Sequence, residues 1–328
     1  MNEAASQSPP SLPAKQPTIA LALGGGGARG LAHILMIEAL EELNIRPVVI
    51  AGTSIGAVFG AAYAAGLPAS LIRAHTEETL GQRFEFMRNL LSARADPVQK
   101  LFNFLPLRSA LLNPAALLDL IFPSRIPKDF SALAIPLEVV ATDFYAQTQV
   151  VLKNGPLAPA VAASMALPAI FQPVTLEGRQ LMDGGLVNPL PFDLIAGRAD
   201  ITVAIDVSGA AQEPEGASGP RAMEAVLAAT QILQRSIVRE KLKSMRPDIY
   251  FDVDVYAFHA LEFHRLKDVL AAAAPAKDAL KRQLQRVLGS VLVDDAAPAP
   301  QIETVPLPRQ PRRLKGLKLA LPKPRKRK

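Results

Sequence analysis

The stretch Val48-Val49-Ile50-Ala51-Gly52-Thr53-Ser54-Ile55-Gly56-Ala57-Val58-Phe59-Gly60 decides how this chain folds. Val48 to Ala51 is a short apolar run of the kind found in strands buried on both faces. Ile55 to Ala65 is small and apolar, as a helix packed closely on a sheet requires. Between them, Gly52-Thr53-Ser54-Ile55-Gly56 matches Gly-x-Ser-x-Gly at a strand-to-helix junction. A sharp turn there exposes the serine hydroxyl, and the flanking Gly52 and Gly56 relieve crowding around it. Taken alone, the pattern reads equally well as a tight turn with a serine N-cap.

Working outward, residues 18–23 form a second apolar run that ends in glycines, and are expected to be a strand. Leu31 to Leu43 has helical periodicity: Met36, Ala39, Leu40 and Leu43 share one face, with Glu38, Glu41 and Glu42 opposite. Further strands are expected at Leu137–Ala141, Gln149–Leu152, Thr202–Val207 and, more weakly, Asp248–Val253. Gly178 marks a hairpin between Val174–Leu176 and Gln180–Met182. Helices are expected over 221–243 and 261–289. Alternating strands and helices predict an α/β fold, with a mostly parallel sheet sandwiched by helices and a helical C-terminal part. The organisation expected is a flexible leader at 1–17, a catalytic domain at 18–208, an extension packed on it at 209–293, and a Pro/Ala linker with a basic tail at 294–328.

The chain has 328 residues and no cysteine, which excludes disulfides, thiolate catalysis and cysteine-ligated metals. The net charge of +6 is concentrated at one end. Ten basic residues and no acid lie between Arg309 and Lys328, so residues 1–308 carry −4. Such a tail suits an anionic lipid surface; without aromatic residues for base stacking it suits nucleic acid less well. The segment before Thr18 holds one basic side chain, Lys15, and the apolar run after it is too short for a signal h-region. No apolar stretch reaches about 18 residues. The expected location is cytoplasmic, or peripheral at a membrane.

Gly24-Gly25-Gly26-Gly27-Ala28-Arg29-Gly30 lies between the first strand and the first helix. Gly25, Gly27 and Gly30 also fit the dinucleotide-binding fingerprint. That function needs an acid at the end of the next strand to hold the ribose, and none lies between Pro47 and Gly60. Consecutive backbone amides here suit an oxyanion instead. A nucleophilic serine needs a base, and the four histidines are His33, His75, His259 and His264. The order Ser54, Asp, His259 imitates a hydrolase triad. Asp183, followed by Gly184 and Gly185, offers a carboxylate on an uncrowded turn; alone it also reads as an Asx-turn.

Together these motifs resemble those of the patatin-like phospholipases, over residues 18 to about 208. Gly25-Gly26-Gly27-Ala28-Arg29-Gly30 resembles the family's oxyanion loop, and Gly52-Thr53-Ser54-Ile55-Gly56 its nucleophile elbow. Asp183-Gly184-Gly185 resembles its aspartate motif. Ala163-Ser164-Met165-Ala166-Leu167-Pro168 resembles the small-residue stretch before that aspartate. One departure is Gly24, where many members carry aspartate. The resemblance implies a Ser54–Asp183 dyad without histidine, acting on phospholipid or other fatty-acyl esters without metal or organic cofactor. It implies that Gly25, Gly26, Gly27, Arg29 and Gly30 form the oxyanion hole. Arg29 would position the loop or add positive charge. Six of the thirteen phenylalanines, Phe84, Phe86, Phe102, Phe104, Phe122 and Phe130, fall within 84–130 and suit an acyl pocket, a lid or plain core. Two other classes stay open on residues alone: a dinucleotide-binding Rossmann protein, and a non-catalytic interaction protein acting through its tail.

Overall fold

The computed structural model describes residues 16–82, 112–209 and 222–293. Most of the expected leader, the linker and basic tail, and Phe84, Phe86, Phe102 and Phe104 lie outside the described residues.

In chain order the elements are β1 (Ile19–Leu23), α1 (His33–Glu42), β2 (Val49–Thr53), α2 (Ile55–Ala64), α3 (Ala69–Gln82) and α4 (Pro114–Ile121). There follow β3 (Leu137–Asp143), β4 (Thr148–Leu152), α5 (Leu157–Ser164), β5 (Val174–Leu176), β6 (Arg179–Asp183) and β7 (Ile201–Asp206). The chain continues with α6 (Ala222–Ser244), β8 (Ile249–Asp252) and α7 (Leu266–Val293). One sheet runs β5-β6-β3-β2-β1-β7-β8, with β4 attached to β3. β3, β2, β1, β7 and β8 are parallel, while β4, β6 and β5 join antiparallel at one side.

Side-chain size along β1 explains the two helical layers. Ile19, Leu21 and Leu23 point into the larger core, with residues of α1, α2, α5 and α7. Ala20 and Ala22 face the other side, where Leu190, Phe192, Ile195 and Val238 of α6 pack. Every β1 residue is buried, as expected for a strand covered on both faces. The expected α/β sandwich is therefore the fold observed.

Several boundaries differ from the sequence reading, and two of the shifts follow from a tertiary contact. The first helix begins at His33, after a 3-10 turn at Gly27–Ala32, because the Ala28 N–H donates to the distant Ala260 carbonyl. β2 continues two residues past Ala51, because Val139 and Val140 of β3 pair with Gly52 and Thr53. The last helix starts at Leu266, after a 3-10 turn at Phe263–Arg265. Residues 209–293, expected as a helical extension packed on 18–208, also contribute a strand. β8 joins β7 in the same sheet, and the described residues through Leu292 belong to one compact unit.

The sheet brings β2 and β6 to the same edge of β3. Val140 pairs with Thr53, and the next residue, Ala141, pairs with Asp183. β4 also pairs with Val140 and Ala141, so it holds the opposite edge. A Cβ on Gly184 would stand 2.1 Å from the Val140 carbonyl oxygen. Gly184→Ala should therefore prise β6 from β3 and cost about 3 kcal/mol, the upper range for overpacking. A chemical denaturation curve checks this; stability equal to the parent protein would contradict the packing described.

Candidate active site

β2 ends at Thr53 and α2 begins at Ile55, so Ser54 alone makes the turn. Its backbone sits at φ 55°, ψ −124°, a conformation that costs a non-glycine residue about 1–3 kcal/mol and persists only where neighbours enforce it. The enforcing contacts are present. The Ser54 N–H donates to Ser164 Oγ at 2.8 Å, and that buried hydroxyl donates to the Val140 carbonyl at 2.6 Å. Close packing of α2 needs both flanking glycines. A Cβ on Gly56 would lie 2.1 Å from the Leu23 carbonyl oxygen, and one on Gly52 would lie 2.7 Å from Ala57 Cα.

The strained turn aims the Ser54 hydroxyl at Asp183. Ser54 Oγ donates to Asp183 Oδ2 at 2.7 Å, while Asp183 Oδ1 accepts the Gly185 N–H at 2.7 Å. The aspartate backbone is held as firmly. Its N–H donates to the Ala166 carbonyl, and its carbonyl accepts from Thr142 Oγ1 at 2.8 Å. Asp183 is only 2% exposed. Burial raises its pKa to about 6, against the lowering effect of the Ser54 and Gly185 hydrogen bonds. The carboxyl is thus a stronger base than an exposed aspartate and is still ionised at neutral pH.

Beside this pair runs the glycine loop, and here the structure corrects part of the oxyanion set. The Gly25 N–H donates to the Pro189 carbonyl at 2.9 Å, and the Ala28 N–H to the Ala260 carbonyl at 2.7 Å. Gly25 is therefore not a free donor. Gly26 and Gly27 both line a cavity of about 50 Å³ with Ser54 and Asp183. Gly27, with φ +60°, opens the 3-10 turn, where backbone amides have no intrahelical acceptor. Arg29 does not present its charge as an exposed donor: it is 3% exposed, and its Nε donates to the Gly26 carbonyl at 3.2 Å. That bond fixes the peptide plane joining Gly26 to Gly27, and so the direction of the Gly27 N–H. Burial lowers the Arg29 pKa to about 10, partly countered by Asp206; the guanidinium stays cationic at neutral pH. Gly30 packs against the elbow, where a Cβ would meet Ile55 Cγ2 at 2.2 Å.

Two of the histidines are engaged elsewhere. His33 is fully buried, with Nε2 on the Gly24 carbonyl, and burial pushes its pKa down to about 4. His75 Nε2 bonds the Ile121 carbonyl. Among the described residues, the hydrogen-bond partners of the Ser54 side chain and amide are Asp183 and Ser164. The Ser54–His259 triad is therefore not assembled. The dinucleotide alternative fails at the same loop, since two of its amides are already taken and the second strand runs into Ser54 instead of an acid. Among the described residues no group of three or more His, Asp or Glu could hold a metal. None of the helices there is long and apolar enough to cross a membrane.

Several supporting residues carried no distinct signal in the sequence. Leu227, Thr230, Gln231 and Gln234 of α6 wall the cavity, with Leu167 and Ala260. Gln231 Nε2 donates to the Ser208 carbonyl. Further along, Lys241 ties α6 to the Asn188 side chain, the Leu190 carbonyl and Asp193. A larger depression of about 360 Å³, lined by Glu41, Arg46 and Tyr63, opens at the end of the sheet where the parallel strands begin, away from Ser54.

A family model described as "Patatin-like phospholipase" matches residues 21–196. An uncharacterized NTE family protein of Mycobacterium tuberculosis is 40% identical over 199 residues, 60% of this chain and 51% of the relative. Patatin-like phospholipase domain-containing protein 7 of Rattus norvegicus is 35% identical over 192 residues, 58% of this chain and 13% of the relative. The chain thus spans about half of the mycobacterial relative and a small part of the rat one. Among solved structures, VipD from Legionella pneumophila aligns over 81% of this chain and 67% of its own, with 14% identity and a TM-score of 0.43. With more than half of its length matched, the chain belongs to the patatin-like phospholipase family.

Proposed function

We propose that the protein is a serine-dependent lipid acyl hydrolase in which Ser54 is the nucleophile and Asp183 the base. The observation that carries this is the 2.7 Å hydrogen bond from Ser54 Oγ to the buried Asp183 Oδ2, made at a strained strand-to-helix turn. The substrate class is a phospholipid or another fatty-acyl ester, in keeping with the family.

Ser54 Oγ attacks the ester carbonyl carbon as its proton passes to Asp183 Oδ2. The carbonyl oxygen becomes an oxyanion, held by the N–H groups of Gly26 and Gly27. Donors fixed in advance at that point stabilise the transition state more than the ground state. The intermediate collapses, the C–O bond to the alcohol breaks, and Asp183 returns its proton to the leaving oxygen. Water then attacks the acyl-Ser54 ester, giving its proton to Asp183. Collapse releases the fatty acid, and the proton returns to Ser54 Oγ. Arg29 acts as a positioning residue through the Gly26 carbonyl. Residues 18–293 are the proposed catalytic unit. The basic residues of 309–328 are proposed to add attraction to anionic headgroups.

A fluorophosphonate probe should label Ser54 in the parent protein and leave Ser54→Ala unlabelled; mass spectrometry that found the adduct elsewhere would refute the assignment. Asp183→Asn should lower kcat by about 10³-fold or more, while His259→Ala and His264→Ala retain turnover. Arg29→Gln should lower kcat by about 10²-fold, the scale of losing one oxyanion donor, with KM little changed. An equal rise in KM with kcat preserved would place Arg29 in substrate binding instead.

Ionised Asp183 is the active form, so kcat/KM should climb with pH up to about 6 and then level off. The same raised pKa affects stability. The unfolded chain releases this proton near pH 3.9, whereas the folded chain holds it to about 6. Stability supplied by the bound proton is therefore present below about pH 4 and lost as pH rises to about 6, a change of about 3 kcal/mol. Asp183→Asn, always neutral, should be more stable than the parent at pH 7 and equal to it at pH 3.5. Urea denaturation of the two proteins at both pH values tests the sign; an Asn variant less stable at pH 7 would contradict it.

A further inference from the structure

Helix α6 has two apolar faces, and among the described residues only one is covered. Its inner face packs Val238 into the second core and walls the Ser54 cavity with Leu227, Thr230, Gln231 and Gln234. Its outer face carries Val226, Ala229, Ile232 and Leu233, which share one side of the helix at i, i+3, i+6 and i+7. Ile232 is 66% exposed, Leu233 61% and Val226 47%. Exposed large apolar side chains are common singly; three adjacent on one helix face are not.

The charge beside this stripe points to its occupant. Towards the C-terminal end of α6 the exposed charged residues are Arg239 and Lys243, the latter paired with Glu240, and just past the helix Arg246 and Asp248, so basic residues outnumber acids three to two. Apolar side chains flanked by basic ones form the pattern of a helix lying in a lipid interface, with its hydrocarbon among the acyl chains and its cations at the phosphates. The cavity beneath α6 is about 50 Å³, far smaller than the roughly 300–1,000 Å³ of ordinary ligand pockets. α6, the helix that carries the stripe, forms one wall of that cavity.

We propose that the outer face of α6, centred on Ile232 and Leu233, docks the protein onto a phospholipid surface and brings the bilayer against the wall of the Ser54 cavity. The proposal rests on the lipid-hydrolase reading for its biological sense, but its test does not use hydrolysis. A second copy of the chain is the rival occupant, and the same measurements decide against it or for it.

The full-length Ser54→Ala protein, which leaves vesicles intact, is compared with the same protein carrying Ile232→Glu and Leu233→Glu. Co-sedimentation with phosphatidylcholine vesicles is measured at about 0.5 M salt, where headgroup attraction to exposed basic residues is screened. The parent should bind, and the double variant should bind at least about tenfold more weakly, since apolar insertion is lost. Equal thermal unfolding midpoints establish that both are folded. Because the chain has no tryptophan, Ile232→Trp supplies a second readout: its emission should shift to the blue on adding vesicles. Equal vesicle binding by both proteins, or an unshifted emission, overturns the proposal. So does concentration-dependent dimerisation in sedimentation velocity that the double variant abolishes. If vesicle binding behaves as expected but the unmodified enzyme cleaves no acyl ester, the docking surface stands and the hydrolase reading falls.

Discussion

The candidate chemistry depends on the edge that β3 offers to two strands in succession. Val140 takes Thr53, the last residue of β2, and Ala141 takes Asp183, the last residue of β6. β2 arrives parallel and β6 antiparallel, so their C-terminal ends meet head to head. The residue after Thr53 is then beside Asp183 without any long side chain reaching across. A hydroxyl and a carboxylate are among the shortest functional groups available, and the 2.7 Å contact between them is possible because backbone pairing does the positioning. The same carbonyl of Val140 receives the Ser164 hydroxyl, whose oxygen in turn accepts the Ser54 N–H. One short stretch of β3 thereby sets the backbone, the strained turn and the Asp183 carboxylate.

That arrangement carries an electrostatic cost. A buried carboxylate with no cation beside it is destabilised by desolvation, which is why the Asp183 pKa rises to about 6. Hydrogen bonds from Ser54 and the Gly185 amide offset part of the cost. A paired cation would offset more, but it would also lower the basicity that proton abstraction needs. Among the described residues the buried cation is instead placed behind the glycine loop. There Arg29 faces Asp206, whose own carboxylate oxygens accept from the Ser208 N–H and the Tyr250 hydroxyl. Carboxylate and cation are kept apart, so Asp183 keeps its raised pKa and Arg29 holds the loop.

Much of this was legible in the sequence, because short covalent motifs dictate local geometry. Gly52 to Gly56 announces a sharp turn, and Asp183-Gly184-Gly185 a carboxylate at a close backbone approach. The apolar surroundings of His33 suit its complete burial. What the sequence left hidden depends on distant partners. Nothing within the glycine loop shows that the Gly25 amide is spent on Pro189 and the Ala28 amide on Ala260, so all three glycines looked equally available. Nor does Arg29 reveal that its hydrogen bond goes to the Gly26 carbonyl. The periodicity of 221–243 predicts a helix, but not that its two apolar sides face different things.

These distant partners also decide what counts as the catalytic body. The family match ends at residue 196, and the motifs end soon after Asp183. Yet Ala260 receives the amide of Ala28 at 2.7 Å and stands so close to Gly27 that a Cβ there would lie 2.2 Å from its carbonyl oxygen. Tyr250 on β8 holds Asp206, and α6 closes the cavity over Ser54. A chain cut at 208 would retain every motif residue while losing the support behind the Gly26–Gly27 peptide and one wall of the site. The segment read as an extension is part of the glycine loop's foundation, and the motifs mark where Ser54 and Asp183 lie without marking all that holds them.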